Sequence, residues 1–123
     1  MAAGDVYTDV GEALVIDLID ANFSTTWQFQ SGIGTTTPAK GDTAMENVTG
    51  CPAKAYPSTP AKTQPSASVL QCVGTIAYTG TLAITEFGWF GPTGTPLFQH
   101  HVFAAINVVN GDSIEFTVTH TQA

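Results

Sequence analysis

The sequence contains no arginine, and its three lysines, Lys40, Lys54 and Lys62, all lie between residues 40 and 62. Proteins that bind nucleic acids normally neutralise the phosphates with clusters of Lys and Arg. This chain instead has a formal net charge of −7. We therefore expect no nucleic-acid partner.

Charged residues of either sign are scarce, at 11% of the chain, compared with about 25% in an average soluble protein. Threonine, serine, glycine and glutamine carry most of the polarity instead. Exposed helices are usually built from Glu, Lys and Arg, whereas β-branched Thr suits a pleated surface. The composition therefore favours strands and turns over helices.

Long hydrophobic runs are also missing, since no apolar stretch approaches the roughly 20 residues that cross a bilayer. The first ten residues, MAAGDVYTDV, lack the basic and apolar regions of a signal peptide. We expect synthesis and folding in a cytoplasm, and no membrane partner.

Cysteine is limited to Cys51 and Cys72. The two residues could form one disulfide, but two buried thiols are the interpretation that a reducing compartment favours. Their spacing has no zinc-site signature. We predict no metal and no cofactor.

A chain of 123 residues is near the usual size of one domain, and we predict a single domain over residues 1–123. Short segments in which apolar and polar residues alternate are separated by turn signals. This pattern predicts a mainly β protein, an antiparallel β-sandwich that is jelly-roll-like, with one short N-terminal helix.

The helix is predicted from Glu12 to about Asn22. Asp9 followed by Glu12 matches the capping pattern at a helix start. The apolar face is expected to comprise Leu14, Val15, Leu18 and Ile19. A strand is the alternative, because LVIDLI is rich in β-branched residues.

Residues 50–68 hold four of the seven prolines. Proline lacks the N–H that a sheet requires and fixes φ, so this stretch is neither a helix nor an interior strand. We predict a Pro-rich extended excursion, which is either a surface loop or an arm ordered against a neighbouring subunit.

Two hairpins are predicted after residue 68. Gly80 separates SVLQCVGTIAYTG from LAITEFGWF, and Asn110-Gly111-Asp112 separates AINVV from SIEFTVTHT. Turn residues of this kind between alternating segments are typical of paired antiparallel strands.

The histidines do not form a convincing site. His100 and His101 are adjacent, so alternation sends them to opposite faces of a strand, and His120 lies close to the C-terminal end of the sequence. No HxH spacing or GxSxG motif occurs, and GIGTTT lacks the Gly-Lys-Ser/Thr ending of a phosphate loop. We predict ordinary strand histidines, no catalytic residue and no enzyme.

Five aromatic residues have two interpretations. They either fill the core, which we favour, or form a sugar-binding face in which Trp89 is the candidate glycan contact. The five are Trp27, Phe87, Trp89, Phe90 and Phe98.

Four segments together resemble a group of small virion proteins of tailed bacteriophages. They are DVGEALVIDLID, WQFQSGIGTTTPAKGDTAM, VGTIAYTGTLAITEFGWF and LFQHHVFAAINVVNGDSIEFTVT. The resemblance covers most of the chain except the Pro-rich stretch, and the C-terminal segment is its most specific part. His100-His101 departs from the pattern, where a basic residue commonly precedes Val-Phe.

The resemblance implies a non-enzymatic structural protein, made in the bacterial host cytoplasm and carried on the capsid exterior of the virion. We expect a capsid decoration or cement protein that binds and stabilises the assembled major capsid protein and forms a homotrimer. The alternative is a tail or head-fibre component, or an adhesin, that binds a host-surface glycan. The expected subunit or capsid contacts are Val6, Tyr7, Tyr56, Pro57 and Pro60.

Overall fold

The computed structural model describes residues 8–23, 27–91 and 96–122. One helix precedes six strands in these residues. The elements are α1 (Asp9–Asn22), β1 (Gln28–Gly32), β2 (Ser58–Ser66), β3 (Val69–Ala77), β4 (Leu82–Phe90), β5 (Leu97–Val108) and β6 (Ser113–Thr121). The helix is too short to cross a membrane, and no other helix occurs in the described part of the chain.

The strands form two antiparallel sheets that pack against each other. Sheet A has the order β1-β4-β5, and sheet B has the order β2-β3-β6. The predicted mainly β sandwich with one short helix is therefore confirmed. The described residues give six strands rather than the eight of a full jelly roll.

Both predicted hairpins are wrong. β3 and β4 lie in different sheets, and so do β5 and β6. The connections between them bind each other: the Gly111 N–H donates to the Tyr78 carbonyl at 2.9 Å, and the Tyr78 N–H donates to the Asp112 carbonyl at 2.8 Å. Turn residues locate where the chain reverses, but here each reversal carries it across the core to the other sheet.

Aromatic rings fill the space between the sheets, as the core interpretation predicts. Phe87 of β4 stacks on Phe116 of β6 with centroids 4.2 Å apart and meets Phe29 of β1 edge-on at 4.6 Å. Trp89 makes edge-on contacts with Phe23 and with Phe98. Such pairs add to the free energy that burial alone supplies.

α1 begins one turn earlier than predicted and buries a different face. Thr8 is its N-cap and accepts a hydrogen bond from the Gly11 N–H at 3.0 Å, so Asp9 is the first helical residue. Ile16 is fully buried, whereas Leu14 and Leu18 are exposed, so the predicted apolar face is wrong at these two residues.

Lys62 of β2 explains how the helix is oriented. Its ammonium group donates to the carbonyls of Asp20 and Phe23 and pairs with the Asp20 carboxylate at 3.2 Å. These carbonyls lie at the C-terminal end of α1, where backbone acceptors lack partners inside the helix and a cation is favoured. The helix therefore rests at the edge of sheet B.

The Pro-rich stretch divides into two parts. The second part, Ser58–Ser66, is β2, an edge strand paired with β3, so it is not an arm separate from the body. Pairing is possible because an edge strand needs ladder donors on one side only. The expectation that this stretch avoids the sheet interior is confirmed, while residues 50–57 contain no strand.

Candidate functional site

The most unusual residue in the protein is Glu86, whose side chain is completely buried. It follows from alternation along β4 that Phe87 and Trp89 point into the core while Glu86 and Gly88 point to the outer face of sheet A. Residues 33–50, which we call the covering segment, pack over this face. An unpaired buried carboxylate would be very unfavourable, so its partners determine the local structure.

Backbone N–H groups of the covering segment surround the Glu86 carboxylate. Gly34 donates to Oε1 at 3.0 Å, Asn47 donates to Oε1 at 3.2 Å, and Glu46 donates to Oε2 at 2.5 Å. Hydrogen bonds to an ionised acceptor are about twice as strong as neutral ones. The carboxylate therefore fixes both ends of the covering segment on the sheet.

His100 of β5 lies between two carboxylates. Its Nε2 is 2.6 Å from Glu86 Oε2, and its Nδ1 is 2.7 Å from Asp42 Oδ2. The pairing of His100 with Gly88 in the sheet places it on the same face as Glu86. Burial opposes its charged form, but the hydrogen bonds to Asp42 and Glu86 outweigh this and raise the pKa of His100. Because ionised carboxylates can only accept, both ring nitrogens act as donors to them.

The pKa values of the two carboxyl groups move in the opposite direction. Burial acts to raise the pKa of Glu86, but the Glu46 N–H, His100 and the other backbone donors together lower it. The Ala39 N–H and then His100 lower the pKa of Asp42. Asp42, His100 and Glu86 therefore form a continuous ion-paired chain, which we call the buried network.

Two glycines make room for this network. A Cβ atom on Gly32 or on Gly34 would lie 2.5 Å from Glu86 Oε1, closer than real Cβ contacts allow. The following Thr35 and Thr36 N–H groups donate to Glu46 Oε1 at 2.7 and 3.0 Å. The SGIGTTT segment thus does present its N–H groups to an anion, but the anions are carboxylates of the same chain.

The buried network has no open position for a substrate. Both nitrogens of His100 are engaged, and both oxygens of Glu86 accept hydrogen bonds. No group of three or more His, Cys, Asp and Glu among the described residues is arranged to hold a metal ion. His100 lies in a strand, as predicted, and it also links the covering segment to two strands of sheet A.

His101 points to the opposite face, as alternation predicts. Its ring lies 6.3 Å from that of Phe87, and its Nε2 is 2.9 Å from Gln99 Oε1. Burial, followed by the positive charge of His100, lowers the pKa of His101. The pKa values of the two neighbouring histidines are therefore shifted in opposite directions.

Three of the five expected contact residues, Tyr56, Pro57 and Pro60, lie in the described part of the chain. Val6 and Tyr7 lie outside the described residues. Tyr56 is exposed with its ring edge against Trp27, and Pro60 is exposed on β2. Pro57 is buried against Gly74, so it is wrongly placed among the contacts.

Trp89 is also wrong as a glycan contact, because it is fully buried. Its indole N–H has no hydrogen-bond partner among the described residues, which fits its position deep among aromatic rings. Only an exposed ring can stack on a sugar.

The two cysteines are free thiols in the structure. Cys72 of β3 is completely buried, and burial raises its pKa to about 12. Cys51 is half-buried, and burial raises its pKa as well.

A second candidate surface lies on α1. Val10, Leu14 and Leu18 are 81%, 58% and 62% exposed, and their spacing of four residues places them in one row, which we call the helix stripe. A groove of about 440 Å³ lies beside its end and is lined by Leu18, Ile19, Asn22, Phe23, Pro96 and Phe98. α1 contains four acidic residues and no basic one.

Sequence reasoning missed the buried network, although two signals were present. Glu86 is the only charged residue within LAITEFGWF, and two glycines flank Ile33 in a segment that precedes it by about 50 residues. A single carboxylate inside an apolar strand indicates a specific set of donors.

Comparison with known proteins identifies no relative: no protein-family model, no curated protein and no solved structure matches the chain.

Proposed function

We propose that the protein is a non-enzymatic structural protein of a virion, a capsid decoration or cement protein that binds the assembled major capsid protein. The observation that carries this proposal is the helix stripe. Three large apolar side chains in one exposed row, next to an apolar groove, are typical of a surface that binds another protein.

The chemistry of α1 defines what this surface would bind. Asp17 lies next to Leu18 on the exposed surface of α1, and the helix has four acidic residues and no basic one. Complementary charge steers association and excludes wrong partners. The fitting surface on the capsid protein is therefore apolar in the middle and bordered by Lys or Arg.

A small contact of this kind suits repeated binding on a lattice. Three partly exposed side chains bury little area, so each contact is weak on its own. Linked or repeated contacts raise the apparent affinity through effective concentration. This supports a decorating subunit more than a soluble one-to-one complex.

The absence of catalysis is part of the proposal. The ion-paired groups of the buried network, Asp42, Glu86 and His100, hold the covering segment in place. A general base needs a free nitrogen or oxygen within reach of a substrate. Both nitrogens of His100 are held by carboxylates, and both oxygens of Glu86 accept hydrogen bonds from His100 and the covering segment.

The glycan-binding alternative lost its candidate residue with the burial of Trp89. Copy number separates the remaining placements: hundreds of copies per particle support capsid decoration, whereas a handful support a tail or fibre component. Quantitative mass spectrometry of purified particles against the major capsid protein measures this number.

Binding to capsids that lack the protein is the direct test. Purified protein should co-sediment with such capsids and raise their melting temperature. The double variant Leu14→Ser, Leu18→Ser should lose at least about tenfold in affinity, because two buried apolar side chains contribute more than 1.4 kcal/mol.

Val109→Ser is the matched control, since Val109 is an apolar residue, 53% exposed, in the turn before β6. It should bind like the natural protein. The proposal would be contradicted if the capsids did not bind the natural protein, or if they bound the double variant as tightly as the natural protein. The predicted homotrimer stays a prediction.

A further inference from the structure

β6 is an unusually regular edge strand. Nine consecutive residue pairs join it to β3, from Val69 with Thr121 to Ala77 with Ser113, without a shift in register. Its sequence, SIEFTVTHT, contains no proline, glycine or lysine and is rich in β-branched residues. A straight edge of this kind is a template for another strand.

The other edge strands of the described structure carry protective features. β2 contains Pro60 and Pro65, has two register shifts and holds Thr59 at φ +46°. β5 has two register shifts against β4, and β1 has five residues and a further bridge from Phe29 to Ala55. Proline, bulges and short length are the usual means of blocking edge pairing. β6 has none of them.

Hydrogen bonds show which groups of β6 face outward. Next to β3, the Asp112 carbonyl accepts from Tyr78 and the Gln122 N–H donates to Ser68, so even-numbered residues bond toward sheet B. The Thr119 carbonyl instead accepts from the Gln99 side chain of the other sheet, at 2.9 Å. Because directions alternate along a strand, the odd-numbered residues present their backbone groups to the outer edge.

We propose that β6 pairs antiparallel with β6 of a second copy of this chain, centred on Thr117. In this register Thr117 lies opposite Thr117 of the other copy, Glu115 opposite Thr119, and Ser113 opposite Thr121. All of these are odd-numbered residues, so the Thr117 pair can exchange both backbone hydrogen bonds. The Thr119 carbonyl already accepts from Gln99 and would accept from the Glu115 N–H with its second lone pair. Hydroxyl pairs across strands are favourable, and no two carboxylates lie directly opposite.

A groove beside β6 supports the same occupant. It has a volume of about 270 Å³ and lies at the open side of the sandwich, between β5 and β6. Its apolar lining comes from Phe87, Phe103, Phe116 and Val118. The inward side chains of a paired β6, Phe116 and Val118 of the second copy, would extend the apolar layer along this groove.

The pairing also explains why assembly stops at two copies. It produces one sheet of six strands in the order β2-β3-β6-β6-β3-β2, and each end is the proline-containing β2. A two-fold contact uses the same edge on both copies and leaves no second free edge. The product is a dimer, which differs from the homotrimer predicted from the resemblance and does not depend on the proposed virion role.

Sedimentation equilibrium of the natural protein over a range of concentrations should show a monomer–dimer equilibrium. Thr117→Pro should raise the dissociation constant by about thirtyfold, because two central N–H donors are lost, each worth about 1 kcal/mol. The fold should survive, since this N–H faces away from β3. Far-UV circular dichroism and thermal unfolding check that it does.

Two lysine variants test the register. Thr117→Lys places two lysines opposite each other and should weaken the dimer several-fold, whereas Thr119→Lys places lysine opposite Glu115 and should leave it as tight or tighter. A monomer at every concentration or a trimer would overturn the proposal. So would a dimer that Thr117→Pro leaves unchanged, or equal weakening by the two lysine variants.

Discussion

Two elements cover the sheets of this protein, and they are held in contrasting ways. The covering segment lies on sheet A through the buried network, in which Glu86 and His100 are almost completely shielded from solvent. α1 is held at the edge of sheet B by Ile16 and by Lys62 at its C-terminal end. The first element leaves little surface unused, whereas the second leaves the helix stripe exposed.

The contrast shows what each kind of contact can specify. A buried ion-paired network tolerates one arrangement, because a displaced partner leaves a charge or an N–H group without compensation. Apolar packing and a single cation allow a helix to present a face for other contacts. Changes in the covering segment should therefore affect stability, and changes in α1 should affect binding more than stability.

Glu86→Ala should have the largest effect. It leaves the His100 imidazolium and three backbone N–H groups without their shared acceptor, and loss of one partner of a buried charge pair costs about 3–5 kcal/mol. Urea denaturation measures the free energy of unfolding. Lys40→Ala, at an exposed position of the covering segment, should change it by less than about 0.5 kcal/mol. Equal effects would show that the network contributes nothing specific.

Gly34→Ala should come next, at about 2 kcal/mol or more. The added Cβ would lie 2.5 Å from Oε1 of both Glu46 and Glu86, so the covering segment would have to move. Gly41→Ala is the control in the same segment, because its Cβ would meet no atom within 4 Å. Thermal unfolding should show a lower melting temperature for Gly34→Ala and an unchanged or slightly higher one for Gly41→Ala.

Lys62→Met should cost about 1 kcal/mol, mostly at the end of α1. It removes the donor to the Asp20 and Phe23 carbonyls while keeping an apolar stem. Amide exchange in the last turn of α1 should become faster, with β4 and the covering segment unaffected. Lys40→Met, at an exposed position, should change neither. Faster exchange throughout the molecule would contradict the separation of the two elements.

The pH dependence should be the smallest effect and should come from the covering segment. The pKa of Glu86 is below its ordinary 4.5, so its contribution is present above pH 4.5 and is lost as the pH falls through the folded value. The pKa of His100 is above its ordinary 6.5, so its contribution is present below pH 6.5 and is lost as the pH rises through the folded value. The combined contribution of Glu86 and His100 should be highest between these limits.

His100→Gln should remove the decline above pH 6.5 and keep the decline below pH 4.5. Asp42 and Glu46 also contribute on the acid side, since the pKa of each is lowered in the fold. The pKa of His101 is lowered from 6.5, so its contribution is present above pH 6.5 and is lost as the pH falls below that value. Measurements should stay below about pH 8.5. At higher pH the ionisation of the Cys72 thiol and the Tyr78 phenol, whose pKa values burial raises, would also change the stability. An unchanged alkaline decline in the variant would rule out His100 as its source.

The sequence allowed the sandwich to be predicted because alternation along β3 and β6 is a local property. It did not allow strand partners to be predicted. Asn110-Gly111-Asp112 marks a reversal equally well within a sheet and between sheets, and the bonds that decide it come from Tyr78, more than 30 residues earlier. Pairing is a property of distant segments, and local turn chemistry does not contain it.

The buried network is harder still to predict. Its donors Gly34 and Glu46 precede Glu86 by 52 and 40 residues, and their N–H groups carry no side-chain signature. Similarly, alternation predicted that His100 and His101 face opposite sides but not which face the covering segment would bury. The exposed position of Leu14 and Leu18 depends on where Lys62 holds the helix, which periodicity alone does not reveal.

The two thiols differ in a way that makes them independent chemical reporters of motion. Cys72 is completely buried with a pKa raised to about 12, so almost none of it is thiolate at neutral pH, and a thiol reagent reaches it only when β3 separates from the core. Cys51 is half-buried and follows the covering segment, so it should react first. Mass spectrometry of partly alkylated protein would thus measure the rate of local opening at Cys51 and the rate of global unfolding at Cys72, without any mutation.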